Sequence, residues 1–218
     1  GRLAETSVHA VTIPGLVEML ARLLADHGTI PLAEALAPAI RYAEDGYPIH
    51  QKVAAEWAGV RDKLSLTKAA RAAYLLDGQV PRPGAVMRSP ALAATLRRIA
   101  DAGPRTFYEG EIAAAMAGCL RAHGGFHDAA DFARHRGAYV DPVSVSYRGV
   151  DIWQIPPNGQ GVTTLLMLAI LDALDFGAED PGSVRYHHLL AEATRLAFSV
   201  RNEIIADPEH GPADLATF

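Results

Sequence analysis

His187, His188 and Glu192 come nearest, by residue type and spacing, to a metal site. His188 and Glu192 are four residues apart, so on a helix they share a face. A metal site asks for a third ligand and for partners that orient the first ones. The sequence offers neither, and an ordinary histidine hydrogen bond is the plainer reading. Glu44-Asp45 and Glu179-Asp180 put carboxylates side by side. Adjacent residues do not face one another on a helix, so neither pair reads as a general acid and base, and both read as solvated. Arg195 and Arg201 could meet a carboxylate, of the protein or of a substrate, and a structural partner is the plainer of the two. No G-x-S-x-G elbow and no P-loop is present, and Gly159 and Gly161 lack the third glycine of a dinucleotide fingerprint.

Asn158 and Gln160 sit where a strand, a loop and an apolar helix meet. Tyr147 to Leu171 runs from a strand, through a proline and glycine loop, into an apolar helix. Val150, Ile152, Trp153 and Ile155 carry strand character. Pro156 and Pro157 end sheet pairing because neither has an N–H to donate. Asn158-Gly159-Gln160-Gly161 is turn chemistry, and Val162 to Leu171 predicts a helix buried on nearly every face. A tight loop feeding such a helix sets backbone N–H groups beside a concave surface. That makes a plausible pocket wall, although most such loops only turn the chain.

Composition narrows the remaining possibilities. The chain has 218 residues, half of them hydrophobic, a net charge of −5 and a pI near 6.0. That is enough to bury a sizeable core, and the acidic balance without a basic patch argues against nucleic-acid binding. The longest apolar run is too short to span a bilayer, and no signal peptide is visible. Cys119 is the single cysteine. It excludes an internal disulfide and a cysteine-based zinc site, and its alanine-rich surroundings predict a small core residue. The chain starts Gly1-Arg2, so its start is expected to be a processed or trimmed one.

Most of the chain predicts helix. Pro14-Gly15 opens a first helix with Leu16, Leu20, Leu23 and Leu24 on one stripe, closed by Gly28. Pro31 opens a second, in which Pro38 predicts a kink or a division into two. Gly46 ends it before an extended Tyr47-Pro48. Gln51–Leu64 and Thr67–Leu76 follow as helices, and 77–89 reads as loop. Pro90 opens another helix stopped by Gly103, and a long alanine-rich helix closes at Gly124-Gly125. Asp128 and Asp131 predict a capped short helix over Ala129–Arg134. Val143–Tyr147 and Val150–Ile155 predict a hairpin about Arg148-Gly149. Ser183 caps a last helix that Pro208 ends. A lone hairpin is marginal, so it is expected to join a sheet completed by other segments. No repeat is present.

Read in order, the motifs resemble the large subunit of the γ-glutamyltranspeptidase family. They are TIPGLVEML, HGTIPLAEALAPAIRYAEDGYPI, SPALAATLRRIADAGPRTFYEGEIAAAM, HGGFHDAADFARHR, VDPVSVSYRGVDIWQIPPNGQG and HHLLAEATRLAF with a following Asp-Pro. Together they cover about Val11 to Pro208. The resemblance implies an α+β fold: the helix-rich portion of an αββα N-terminal nucleophile hydrolase sandwich, with 1–218 a single partial domain. It implies a precursor that cuts itself once, freeing an N-terminal threonine on the small subunit. That threonine would be nucleophile and, through its amine, base. It would take the γ-glutamyl group of glutathione or a related amide and pass it to water or an amino acid, with an oxyanion hole supplied by the small subunit.

The same resemblance implies a small subunit as partner and a small-molecule substrate; no cofactor and no metal are expected, and composition and the short apolar runs argue against nucleic acid and a membrane span. Bacterial relatives are often periplasmic or secreted. No catalytic residue is expected in this chain. The family's substrate-carboxylate arginine lies upstream of Thr12, and Arg2 does not match its motif. The nucleophile is expected beyond Phe218, since Thr163-Thr164 runs into a helix and Thr217 lacks the following strand. Val200-Arg201 stands where the family usually has Asp-Arg, which would loosen an ion pair. Asn158 and Gln160 remain as the substrate-binding expectation. The family also holds oxamate amidohydrolases and cephalosporin acylases, and the alternative outside enzymes is a non-catalytic helical interaction module.

Overall fold

The computed structural model describes residues 3–4, 6–174, 176 and 179–207. Arg2, Pro208 and Thr217, weighed above, lie outside the described residues. The fold is α+β and helix-rich, and it divides into two compact units, Gly1–Gly137 and Ala138–Phe218.

In the first unit, α1 (Leu16–His27), α2 (Leu32–Asp45), α3 (Gln51–Gly59), α4 (Arg61–Leu64), α5 (Lys68–Tyr74), α6 (Pro90–Ala102), α7 (Arg105–Tyr108), α8 (Glu111–Ala122) and α9 (Ala129–Arg134) follow in order. β1 (Tyr47–Pro48) and β2 (Val86–Met87) pair antiparallel, Tyr47 against Met87. The 77–89 stretch therefore holds a strand where loop was expected. The expected 51–64 helix divides at Val60, whose φ of −118° and ψ of 19° leave helical geometry. Pro38 sits inside α2 without dividing it, so of the two outcomes expected at Pro38 the division does not occur. α9 starts on a reciprocal cap in which Asp128 accepts from the Asp131 N–H and Asp131 from the Asp128 N–H, both at 2.9 Å.

Two small cores hold this unit. Ile49, Ala54 and Met87 pack with Val53 and Trp57. Ala113, Ala117 and Phe132 pack with Ile13, Met116 and Leu120. Cys119, expected in the core, is exposed. Two residues beyond Ala117 it has turned about 200° around α8, away from the alanine stripe. α1 turns its apolar stripe outward: Leu16, Met19, Leu20 and Leu23 are exposed while Glu18 is buried. Tyr108 anchors the backbone at the start of α1. Its hydroxyl, fully buried, donates to the Pro14 carbonyl at 2.7 Å and accepts from the Glu18 N–H at 3.1 Å.

In the second unit, β3 (Val143–Tyr147) and β4 (Val150–Gln154) form the expected hairpin, with Tyr147 opposite Val150. Arg148 and Gly149 take φ of 51° and 78°, the positive pair that a two-residue turn matched to strand twist requires. The Arg148 N–H donates to Asp172 Oδ1 at 3.2 Å, which ties the turn to α10 (Gly161–Ala173). α11 (Val184–Ile204) begins on a Ser183 cap whose hydroxyl accepts from the Tyr186 N–H. The core here is Leu171, Phe176 and Ala193, with Tyr147, Tyr186 and Leu190 against it. α10 is less enclosed than its composition predicts. Val162, Thr163, Leu165 and Leu171 are buried, whereas Thr164 and Ala169 are exposed. No helix among the described residues is long and apolar enough to cross a membrane.

Candidate functional site

The loop between β4 and α10 is built by what its residues lack. Pro156 and Pro157 have no N–H to extend the ladder. Gly161 stands where a side chain would not fit: a Cβ there would lie 2.6 Å from Gln154 Oε1 and 2.8 Å from Gln154 Cβ. The end of β4 thus presses directly on the first residue of α10, and the chain between them bulges outward with Asn158 and Gln160 exposed. Gln160 is the N-cap residue of α10, yet its side chain makes no capping bond. Its backbone carbonyl accepts from the Thr163 N–H at 3.0 Å.

The Gln160 side chain is instead held from α11. Arg201 Nη1 donates to Gln160 Oε1 at 2.9 Å. Arg201 Nε and Nη2 donate to Asn202 Oδ1 at 3.1 and 2.7 Å, and the guanidinium lies 4.4 Å from the Phe198 ring centroid. The carboxylate foreseen for Arg201 is not what it meets among these contacts; both oxygens are neutral amides. No spacing rule could have found this tie, since its partners are 41 residues apart. Beside the loop, Val143, Ser144 and Val145 of β3 and Val162, Leu165, Leu166 and Ala169 of α10 line an apolar cleft of about 320 Å³.

The other candidates are engaged elsewhere. Glu192 accepts from Arg195 Nη2 at 2.6 Å, and that bond holds its carboxyl below the usual range. His187 packs edge-on against Tyr186. Among the described residues no group of three or more His, Cys, Asp or Glu is placed to hold a metal ion. Of the adjacent acids expected in solvent, Asp45 and Asp180 are exposed, whereas Glu44 and Glu179 are half-buried and ion-paired with Arg97 and Arg185. The Arg97 hydrogen bond lowers the Glu44 carboxyl below its usual value.

The sequence profile described as Gamma-glutamyltranspeptidase matches residues 2–217. The chain is 36% identical over 199 residues to the glutathione hydrolase-like YwrD proenzyme of Bacillus subtilis, covering 91% of this chain and 38% of that protein. It is 35% identical over 209 residues to the oxamate amidohydrolase proenzyme of Klebsiella pneumoniae, covering 94% of this chain and 39% of the relative. The crystal structure of a cephalosporin acylase from Bacillus halodurans superposes with a TM-score of 0.85 at 36% identity, over 98% of this chain and 40% of that one. The chain thus spans about two fifths of the length of the curated relatives it matches.

Proposed function

The chain belongs to the γ-glutamyltranspeptidase family, and from that premise we propose that it is the large-subunit part of an enzyme that transfers or hydrolyses the γ-glutamyl group of glutathione or a related amide. Residues 1–218 are then one partial domain of an N-terminal nucleophile hydrolase, and the reacting threonine begins a second polypeptide. Its hydroxyl oxygen attacks the γ-carbonyl carbon. The C–N bond breaks, the amine leaves with the proton held by the threonine's own amine, and an ester remains. Water or an amino acid then attacks that ester and frees the hydroxyl.

This chain's share is the wall of the pocket. What supports the reading most is the family match along residues 2–217 together with an outward loop whose two amides, Asn158 and Gln160, stand at the N-terminus of α10. Amides are neutral donors and acceptors suited to a substrate that carries carboxylates and an amide. In the full-length protein, Asn158→Ala should slow turnover of γ-glutamyl-p-nitroanilide about tenfold while self-cleavage, read by intact mass and by a second chain starting with threonine, proceeds as before. Unchanged kinetics would remove the loop from the site.

A second reading is carried by the nearly equal identities to a glutathione hydrolase-like protein, an oxamate amidohydrolase and a cephalosporin acylase, 36%, 35% and 36%. The donor is then a different small amide on the same scaffold. Relative kcat/KM for γ-glutamyl-p-nitroanilide, oxamate and a cephalosporin amide separates the two.

A further inference from the structure

Arginine carries only donors, so the oxygen end of the Gln160 amide must face Arg201. The Nε2 end then turns away from the guanidinium, into an exposed position where no other described residue receives it. Arg201 is itself fixed on two more sides, by Asn202 Oδ1 and by the Phe198 ring. A charged donor on Oε1 also polarises the amide and strengthens its N–H groups as donors. A Gln freed from this contact would present oxygen as readily as nitrogen, and oxygen facing a substrate oxygen repels.

We propose that Arg201 is a positioning residue for substrate binding: it orients Gln160 so that the side-chain N–H groups donate to a carboxylate or amide oxygen of the substrate. The inference rests on the reading of the 158–161 loop as substrate-facing. It assigns Arg201 no contact with the reacting atoms.

The test is a double-mutant cycle in the full-length, self-processed enzyme, on γ-glutamyl-p-nitroanilide or oxamate, whichever turns over. Gln160→Ala and Arg201→Met should each raise KM about three- to tenfold, the worth of one hydrogen bond, with kcat within about twofold. The double variant should match Gln160→Ala alone, and Arg201→Lys should recover part of the loss. Multiplied effects in the double variant, or an Arg201→Met protein with lowered Tm and wild-type KM, would overturn the inference while leaving the loop in the site. Wild-type KM in Gln160→Ala would overturn the loop reading and this inference with it. If Arg201→Met does not fold, Gln160→Glu decides. Its carboxylate keeps the Arg201 contact but has no N–H to offer, so KM should rise as in Gln160→Ala, and wild-type KM would overturn the proposal.

Discussion

At the scale of single residues, Tyr108 holds more than its sequence context suggests. Its hydroxyl satisfies the Pro14 carbonyl and the Glu18 N–H at the start of α1, its ring stacks 5.2 Å from His135, and Arg105 lies 5.4 Å over it. Tyr108→Phe leaves a backbone carbonyl and an N–H without that partner, a loss of about 1–3 kcal/mol. Denaturant unfolding of the full-length protein should show it as a shift in midpoint at constant slope. Burial raises the Tyr108 hydroxyl above its usual value of 10.0. A proton held more tightly in the folded state stabilises it fully below the unfolded value and is lost as pH rises through the folded one. Wild type should therefore lose stability above about pH 10, and Tyr108→Phe should flatten that limb. An identical alkaline limb in both proteins would exclude Tyr108 as its source. Nothing in the sequence marks Tyr108, because its partners lie 90 and 94 residues away.

At the scale of elements, what could be read in advance is what a few neighbouring residues decide. The Asp128 and Asp131 cap, the Ser183 cap and the Arg148-Gly149 turn each close within four residues, and each forms as its residue types dictate. Asp128→Ala removes the cap of α9 and should cost about 0.5–2 kcal/mol, read as a lowered Tm, with catalysis unchanged. A Tm equal to wild type would mean that Phe132 packing alone fixes this helix. What escaped the sequence is decided between distant segments. The β1–β2 pairing joins residues about 40 apart through strands of two residues each, too short to show alternation. The exposure of Cys119 depends on which side of α8 meets Phe132, and an alanine-rich helix does not declare its inward face. The same division holds at the proposed site: the loop at Asn158 and Gln160 is legible from its prolines and glycines, whereas the arm reaching it from Arg201 is not.

At the scale of the whole molecule, the apolar side chains left in water need an account. On α1, Leu16, Met19, Leu20 and Leu23 recur at helical spacing and lie on one exposed face. In the second unit Trp153 and Ile155, 58% and 62% exposed, point to the same side of β4 and its continuation. Isolated exposed leucines are ordinary, but grouped ones mark surfaces that something covers. Covering half a dozen such side chains, each already about half enclosed, would contribute on the order of 5–10 kcal/mol, comparable to the stability of a whole domain. The chain spans about two fifths of the length of the relatives it matches, and under the proposed function a second polypeptide does the covering. Produced alone, residues 1–218 should bind the dye ANS, self-associate on size-exclusion chromatography and hydrolyse no γ-glutamyl-p-nitroanilide. The same residues within the full-length protein should be ANS-silent. A monomeric, ANS-silent isolated chain would show that these faces need no cover, and the reading of this chain as one part of a larger catalytic body would lose its structural ground.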